Sequence, residues 1–202
     1  MIILIGLDND LAHTIRSETG VAVSGYVSPT LHTENTDLAW LGSDQSYRDE
    51  FMASQDKPSL LVTMDNCEKR FAITQFFHFQ NISKFISNRA DISSRCSIGK
   101  GCIIQKNVLI SDGCTVGNCV KFNVDVSVHH DCQIGDYCTL APGARLLGGV
   151  QIGSRVFIGA NATILPGISI DDGAVVGAGA LVTKNISKDT LVVGVPARAL
   201  AK

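Results

Sequence analysis

The chain has almost no net charge, few prolines and no long apolar run, and each shortage removes a class of protein. Seventeen Lys and Arg stand against nineteen Asp and Glu, a formal net charge of -2. No basic surplus is left to neutralise a nucleic-acid backbone or an anionic membrane surface. Five prolines against nineteen glycines point to tight turns rather than disordered linkers. The apolar opening Met1–Gly6 stops at Asp8, lacks a basic flank, and is too short for a signal peptide or a membrane span. It reads as a buried first strand. With no export signal, the expected compartment is the cytoplasm, where the seven cysteines stay reduced. At 202 residues, 45% apolar and 18% charged, there is material for one large domain or two small ones.

What is present is a repeat. Every sixth residue from Ile92 through Ile98, Ile104, Ile110, Val116 and Phe122 to Val182 is large and apolar. A second register two residues ahead, from Ala90 to Ala180, is mostly small and apolar. Period six does not fit an α-helix. Two inward positions per six residues describe a short strand and a turn, and three such units close one coil. Coils stack as parallel strands about 4.8 Å apart, each burying the face its neighbour leaves open. Cys96, Cys102, Cys114, Cys132 and Cys138 fall in the small inward register, as small hydrophobes rather than metal ligands.

Residues 1–80 lack the repeat. Strands are expected at Met1–Gly6, Val21–Val27 and Leu60–Met64, and helices at Asp10–Thr19, Asp44–Gln55 and Glu68–Phe79. The alternation implies a small Rossmann-like parallel α/β sheet. Ligands of such sheets bind beyond the carboxyl ends of the strands, here at Gly6, Leu7 and Asp8, at Val27 and Ser28, and at Met64 and Asp65. The first turn is not a G-x-G-x-x-G, so a dinucleotide site is poorly supported. A phosphate at a helix N-terminus and plain strand-to-helix caps both remain open.

The hexads of residues 90–198 resemble those of the hexapeptide-repeat acyltransferase superfamily. The resemblance implies a left-handed parallel β-helix, a homotrimer, and acyl-CoA in the groove between neighbouring helices. An α/β domain (1–80) ahead of a β-helix domain (81–202) is similar to the sugar O-/N-acetyltransferase family that modifies nucleotide-linked amino sugars, with the nucleotide sugar held by the first domain. That family's first turn is usually a run of glycines. Here it is Gly6-Leu7-Asp8-Asn9-Asp10, so nucleotide recognition is expected to differ in detail.

The sharpest interruption of the repeat is His129-His130-Asp131-Cys132, followed by Ile134-Gly135. It matches the family's His-acid-small-x-Ile-Gly motif, which makes His130 the expected base and Asp131 its orienting acid, with His129 a solvated neighbour. Imidazole, with an unperturbed pKa of about 6.5, accepts a proton at neutral pH. The tetrahedral intermediate of acyl transfer needs an oxyanion donor. Gly148 lies eighteen residues beyond His130, one coil on, and by resemblance its amide supplies that donor. The resemblance also places Asn123 near the reacting group of the substrate and Thr139 near the acetyl group. It sets Gly148, Ala160 and Ala178 along acetyl-CoA, and puts Pro196 and Arg198 of Gly194-Val195-Pro196-Ala197-Arg198 at the end of its groove.

The expectation is an acetyl-CoA-dependent N-acetyltransferase acting on a nucleotide-linked 4-amino-4,6-dideoxy sugar for surface glycan synthesis. Alternatives are a sialic-acid-type sugar O-acetyltransferase, a succinyltransferase of lysine synthesis, and a non-catalytic β-helix used for assembly. A metal-dependent lyase resembling γ-type carbonic anhydrases needs three histidine ligands. The β-helix offers only His129 and His130, so no metal is expected.

Overall fold

The computed structural model describes residues 1–32 and 36–200. Strands β1 (Ile2–Ile5), β2 (Val23–Val27), β3 (Ala39–Trp40) and β4 (Ser59–Val62) form one parallel sheet in the order β3-β2-β1-β4. Helix α1 (Asn9–Thr19) begins where the Asp8 side chain accepts from the Leu11 amide at 3.0 Å, and ends at Gly20, whose φ of 68° returns its N–H to the Arg16 carbonyl. These are a normal N-cap and a left-handed C-cap. Successive residues of a strand face opposite sides. Leu4 therefore joins Leu11 and Ile15 of α1, while Ile3 and Ile5 join Tyr47, Phe51 and Ile73 of α2 (Asp44–Ala53) and α3 (Cys67–Phe76).

The local differences from expectation have simple causes. Strand β3 is two residues long, too short to show alternation. Strand β2 starts at Val23, not Val21. Helix α2 stops at Ala53, before Gln55. Helix α3 stops at Phe76 because His78, Phe79 and Asn81 adopt φ of 52°, 52° and 48°, a region that ends a right-handed helix. The last bridge of the α/β sheet pairs Leu60 with Ile82, and the first rung of the next unit is Phe85–Ile86.

From there the chain winds as a three-sided parallel β-helix with two-residue strands. Face one carries Phe85–Ile86, Ile103–Ile104, Lys121–Phe122, Thr139–Leu140, Phe157–Ile158, Val175–Val176 and Leu191–Val193, with Arg198–Ala199 added antiparallel. Face two runs from Asp91–Ile92 to Leu181–Val182, and face three from Ser97–Ile98 to Ser169–Ile170. Each strand pairs with the one a coil away, as Thr115 with Gln133 and Lys121 with Thr139. The second residue of each rung and the small register two residues before it make one continuous core, in which Cys102, Cys114, Cys132 and Cys138 are buried. Burial pushes the Cys102 and Cys114 thiols up to about 11 and those of Cys119 and Cys138 up to about 12. They are packing groups, not nucleophiles.

The α/β unit sits on face one. Phe85 and Ile103 complete the core beneath α1, and α3 lies against the next rungs, with Phe71 edge-on to Tyr137 at 5.1 Å. At the seam, Arg70 of α3 is 1% exposed. Its Nε donates to the Cys119 carbonyl at 2.8 Å, and Nη2 to the carbonyls of Tyr137 and Cys138 and to Thr139 Oγ1, at 2.8–2.9 Å. Nη1 donates to the Met64 carbonyl. A buried guanidinium is tolerated only when its donors are met, and these bonds fix the Met64–Asp65 turn against the β-helix.

Candidate active site

The vertex between faces two and three holds the motif His129-His130-Asp131. The Asp131 amide donates to the Asp112 carbonyl one coil below, at 2.9 Å, and φ of Asp131 is 60°. That left-handed corner turns its carboxylate back toward the ring, and His130 Nδ1 lies 2.9 Å from Asp131 Oδ2. An ionised carboxylate can only accept, so the neutral tautomer that fits this contact carries its proton on Nδ1 and leaves the Nε2 lone pair open. The imidazole is 67% exposed, open to a substrate. His129 is half-buried, its amide bonded to the Leu146 carbonyl.

Two glycines make room for this pair. A Cβ on Gly148 would stand 2.5 Å from His130 Nε2 and 2.6 Å from Cε1. A Cβ on Gly113 would stand 2.4 Å from Asp131 Oδ1. Gly148 therefore forms the floor facing the basic nitrogen. Its amide donates to no acceptor among the described residues, whereas the neighbouring Leu147 and Gly149 amides are tied to Ile164 and His130 carbonyls. His130 Nε2 and an amide with no acceptor among the described residues thus share one corner.

The other predicted site residues lie elsewhere. Ala160 and Ala178 stack on the vertex between faces one and two, the Ala160 carbonyl accepting from Gly179 at 2.8 Å. Arg198 and Lys184 line an open cavity of about 430 Å³ at the C-terminal end, and Pro196 is exposed beside it. Thr139 is corrected: it is fully buried, and its hydroxyl donates to the Asp65 carbonyl at 2.6 Å and accepts from Arg70. It belongs to the domain seam and presents nothing to a cofactor. Asn123 is also at that seam, its Nδ2 donating to Asp65 Oδ1 at 3.1 Å and to the Leu140 carbonyl at 3.2 Å.

Of the strand-end turns, Val27 is a core residue whose carbonyl accepts from Gly6. Ser28 is buried, with its amide, hydroxyl and carbonyl used by Gly42, Thr30 and Trp40. Neither offers a side chain to a ligand. Gly6 has φ of 96° and sits where a Cβ would reach 2.8 Å from Thr63 Oγ1, so that turn requires glycine. Leu7 and Met64 are half-buried beside it. Asp8 and Asp65 are joined by a residue that sequence reasoning missed, Lys121, which is 2% exposed and bonded to both.

One chain therefore carries two separated half-sites. His130, Asp131 and the Gly148 amide stand on the vertex opposite face one, whereas the strand-end crevice and Asn123 lie on face one. Among the described residues no three His, Cys, Asp or Glu side chains are grouped so as to hold a metal ion, and no helix is long and apolar enough to cross a membrane.

Comparison with known proteins agrees with this architecture. Residues 113–148 match the family model "bacterial transferase hexapeptide (six repeats)", and residues 149–184 match "hexapeptide repeat of succinyl-transferase". No curated protein sequence matches the chain. Among solved structures, a histidine-to-asparagine variant of perosamine N-acetyltransferase from Caulobacter crescentus, in complex with CoA and GDP-perosamine, superposes with a TM-score of 0.89 at 25% identity, over 100% of this chain and 97% of that one. WeeI from Acinetobacter baumannii gives 0.85 at 26% identity, over 99% of both chains. The acetyltransferase domain of PglB from Neisseria gonorrhoeae, in complex with acetyl coenzyme A, shares the fold with a TM-score of 0.88 at 22% identity, over 98% of both. Over residues 113–184 the chain thus carries the hexapeptide repeat of bacterial acyltransferases, and its α/β domain followed by a left-handed β-helix resembles the two-part fold of the perosamine N-acetyltransferase.

Proposed function

We propose that the protein transfers the acetyl group of acetyl-CoA to the amine of a nucleotide-linked 4-amino-4,6-dideoxy sugar, in the cytoplasm, for surface glycan synthesis. The observation that carries this reading is the corner itself, with His130 Nε2 over Gly148 and Asp131 behind Nδ1. The perosamine N-acetyltransferase with the same two-part fold binds CoA and a GDP-linked sugar, which supports the choice of donor and of acceptor class.

In the reaction, the acceptor nitrogen attacks the thioester carbonyl as His130 Nε2 takes its proton. The Asp131 carboxylate stabilises the imidazolium that forms. The Gly148 amide donates to the oxyanion of the tetrahedral intermediate. Collapse breaks the carbon–sulfur bond, and the imidazolium proton passes to the leaving thiolate.

The separation of half-sites supports assembly. His130 faces away from its own α/β unit, so a homotrimer of parallel β-helices would set it against the face-one side of a neighbour. Ala160 and Ala178 are small residues that would let pantetheine run along that groove. Arg198, with Lys184, would meet the anionic end of CoA. Sugar O-acetylation uses the same machinery, and the acceptor decides between the two.

The test is thiol release from acetyl-CoA against UDP-, dTDP- and GDP-linked 4-amino-4,6-dideoxy sugars and their hydroxyl counterparts. Saturable turnover on an amine series is the expected result. Activity on hydroxyl acceptors alone makes the protein an O-acetyltransferase, and silence on both overturns the reading.

A further inference from the structure

Along the five rungs of face one from Ile103 to Val175 the outward side chains are Ile103, Lys121, Thr139, Phe157 and Val175, apolar or hydroxyl-bearing at all but one. Lys121 is 2% exposed, in a place where Ile103 or Phe157 shows that an apolar side chain fits the repeat. A buried ammonium is unfavourable unless its partners compensate the lost hydration. Its partners are three, all at the carboxyl ends of β1 and β4: the Thr63 carbonyl at 2.6 Å, Asp65 Oδ1 at 3.2 Å and Asp8 Oδ2 at 3.4 Å. The β-helix thus sends one charge into the floor of the crevice where an α/β sheet binds ligands.

The consequence is a carboxylate with one end fixed. Asp65 Oδ1 accepts a hydrogen bond from Asn123 Nδ2 at 3.1 Å and pairs with the Lys121 ammonium at 3.2 Å. The main chain on either side is held too, the Met64 carbonyl by Arg70 and the Asp65 carbonyl by Thr139. Oδ2 has no donor among the described residues, and the side chain is 58% exposed. Asp8 differs: its Oδ1 caps α1, its Oδ2 meets Lys121, and its side chain is 20% exposed, so neither oxygen is without a donor. Of the two acids, Asp65 alone is built as an oriented acceptor open to the crevice.

We propose that Asp65 binds the amino group of the acceptor through Oδ2, and that Lys121 is the positioning residue that holds it for this task. The inference rests on the reading of an amino-sugar acceptor and names the group that recognises the amine. A bound ammonium first gives one proton to solvent; in the neutral amine that attacks, one N–H stays on Asp65 while the other, the proton to be lost, faces the base. A carboxylate holds a charged amine by a charge-assisted bond, and it holds a hydroxyl or an acetylated nitrogen less well. The site therefore favours substrate over product.

The experiment is calorimetric binding to the full-length protein, without acetyl-CoA, so that it does not depend on turnover. The ligands are the nucleotide-linked 4-amino sugar acetylated best in the panel above (GDP-perosamine if none is), its N-acetylated form, and the parent nucleoside diphosphate. Wild type is expected to bind the amine at least tenfold more tightly than the acetamide. In Asp65→Asn, where an amide N–H replaces Oδ2, and in Lys121→Met, that preference is expected to fall about tenfold or more, with nucleoside diphosphate affinity unchanged. Asp65→Asn is isosteric on an exposed turn, so it keeps the test open if Lys121→Met does not fold. Equal binding of amine and acetamide by wild type, an unchanged preference in Asp65→Asn, or parallel losses for all three ligands overturns the proposal. Amine-selective binding without acetyl transfer sustains it while removing the acetyltransferase reading, and normal turnover with no selectivity does the reverse.

Discussion

Replacing Gly148 with alanine separates catalysis from folding at a single methyl group. Gly148 is not among the glycines with positive φ, so alanine suits its backbone. The added Cβ would lie 2.5 Å from His130 Nε2, 2.6 Å from Cε1 and 3.3 Å from Cδ2, all atoms of one side chain. That side chain is 67% exposed, so it can swing aside, and the expected loss of stability is about 0.5 kcal/mol. The base is nonetheless displaced from its corner. General-base catalysis contributes roughly 10²- to 10⁴-fold, or about 2.7–5.5 kcal/mol of barrier. Gly148→Ala should therefore lower kcat at least about a hundredfold while the melting temperature moves little. Because alanine retains the amide N–H, this loss reports the imidazole and not the oxyanion donor. The double variant with His130→Ala should be no slower than His130→Ala alone, since a base already removed cannot be displaced again. The assay is steady-state thiol release beside thermal denaturation. A Gly148→Ala enzyme within a few-fold of wild type, or a double variant in which the two losses multiply, would refute the assignment of His130 as a base acting over Gly148.

The orienting acid gives a second test: Asp131→Asn keeps the side-chain size and suits the φ of 60°, yet removes the charge behind the imidazolium, so kcat should fall about tenfold or more with the fold intact by circular dichroism. Arg70→Met leaves the carbonyls of Met64, Cys119, Tyr137 and Cys138 without their charged donor, and should cost about 3 kcal/mol or more in urea unfolding. The buried thiols set an alkaline limit. Cys102 and Cys114 are raised to about 11, and Cys119 and Cys138 to about 12, from 9.0. The unfolded chain therefore loses these protons first, and stability should be full below pH 9 and decline from there toward pH 11–12. Melting temperatures measured from pH 8 to 11 check the sign, and a flat profile would contradict the burial.

How far the molecule could be read from its sequence depends on whether a feature is periodic. From Ile92 to Val182 the hexad states which residue points inward at each rung, and the strands pair with the expected eighteen-residue register there, shortening to sixteen only at the last pairings, Val175 with Leu191 and Ile170 with Ile186. The α/β unit is legible where caps are local, as at Asp8 and Gly20. It is less so where tertiary pairing decides, as at Ala39–Trp40, or where a run of left-handed residues ends α3 early. Rung Phe85–Ile86 lies before the first clear hexad because its Phe85 is turned into the α1-side core.

The candidate site divides in the same way. His130, Asp131 and Gly148 are related by the eighteen-residue coil, so arithmetic along the chain brings them to one corner. Thr139 and Asn123 obey that arithmetic too, but their surroundings come from another domain: α3 and the Asp65 turn cover face one, and the inward positions of the repeat do not say which face is covered. Arg70 and Lys121 are hidden for this reason, since an outward charge on a β-helix rung normally reads as a solvated one. A trace does exist. Outward positions of a bare face should be polar, and Phe85, Ile103 and Phe157 on either side of Lys121 are not. An apolar outward column marks a covered face, and a lysine within it must meet carboxylates from whatever covers it. Lys121, the one charge in that column, links the repeat to the crevice through a single residue.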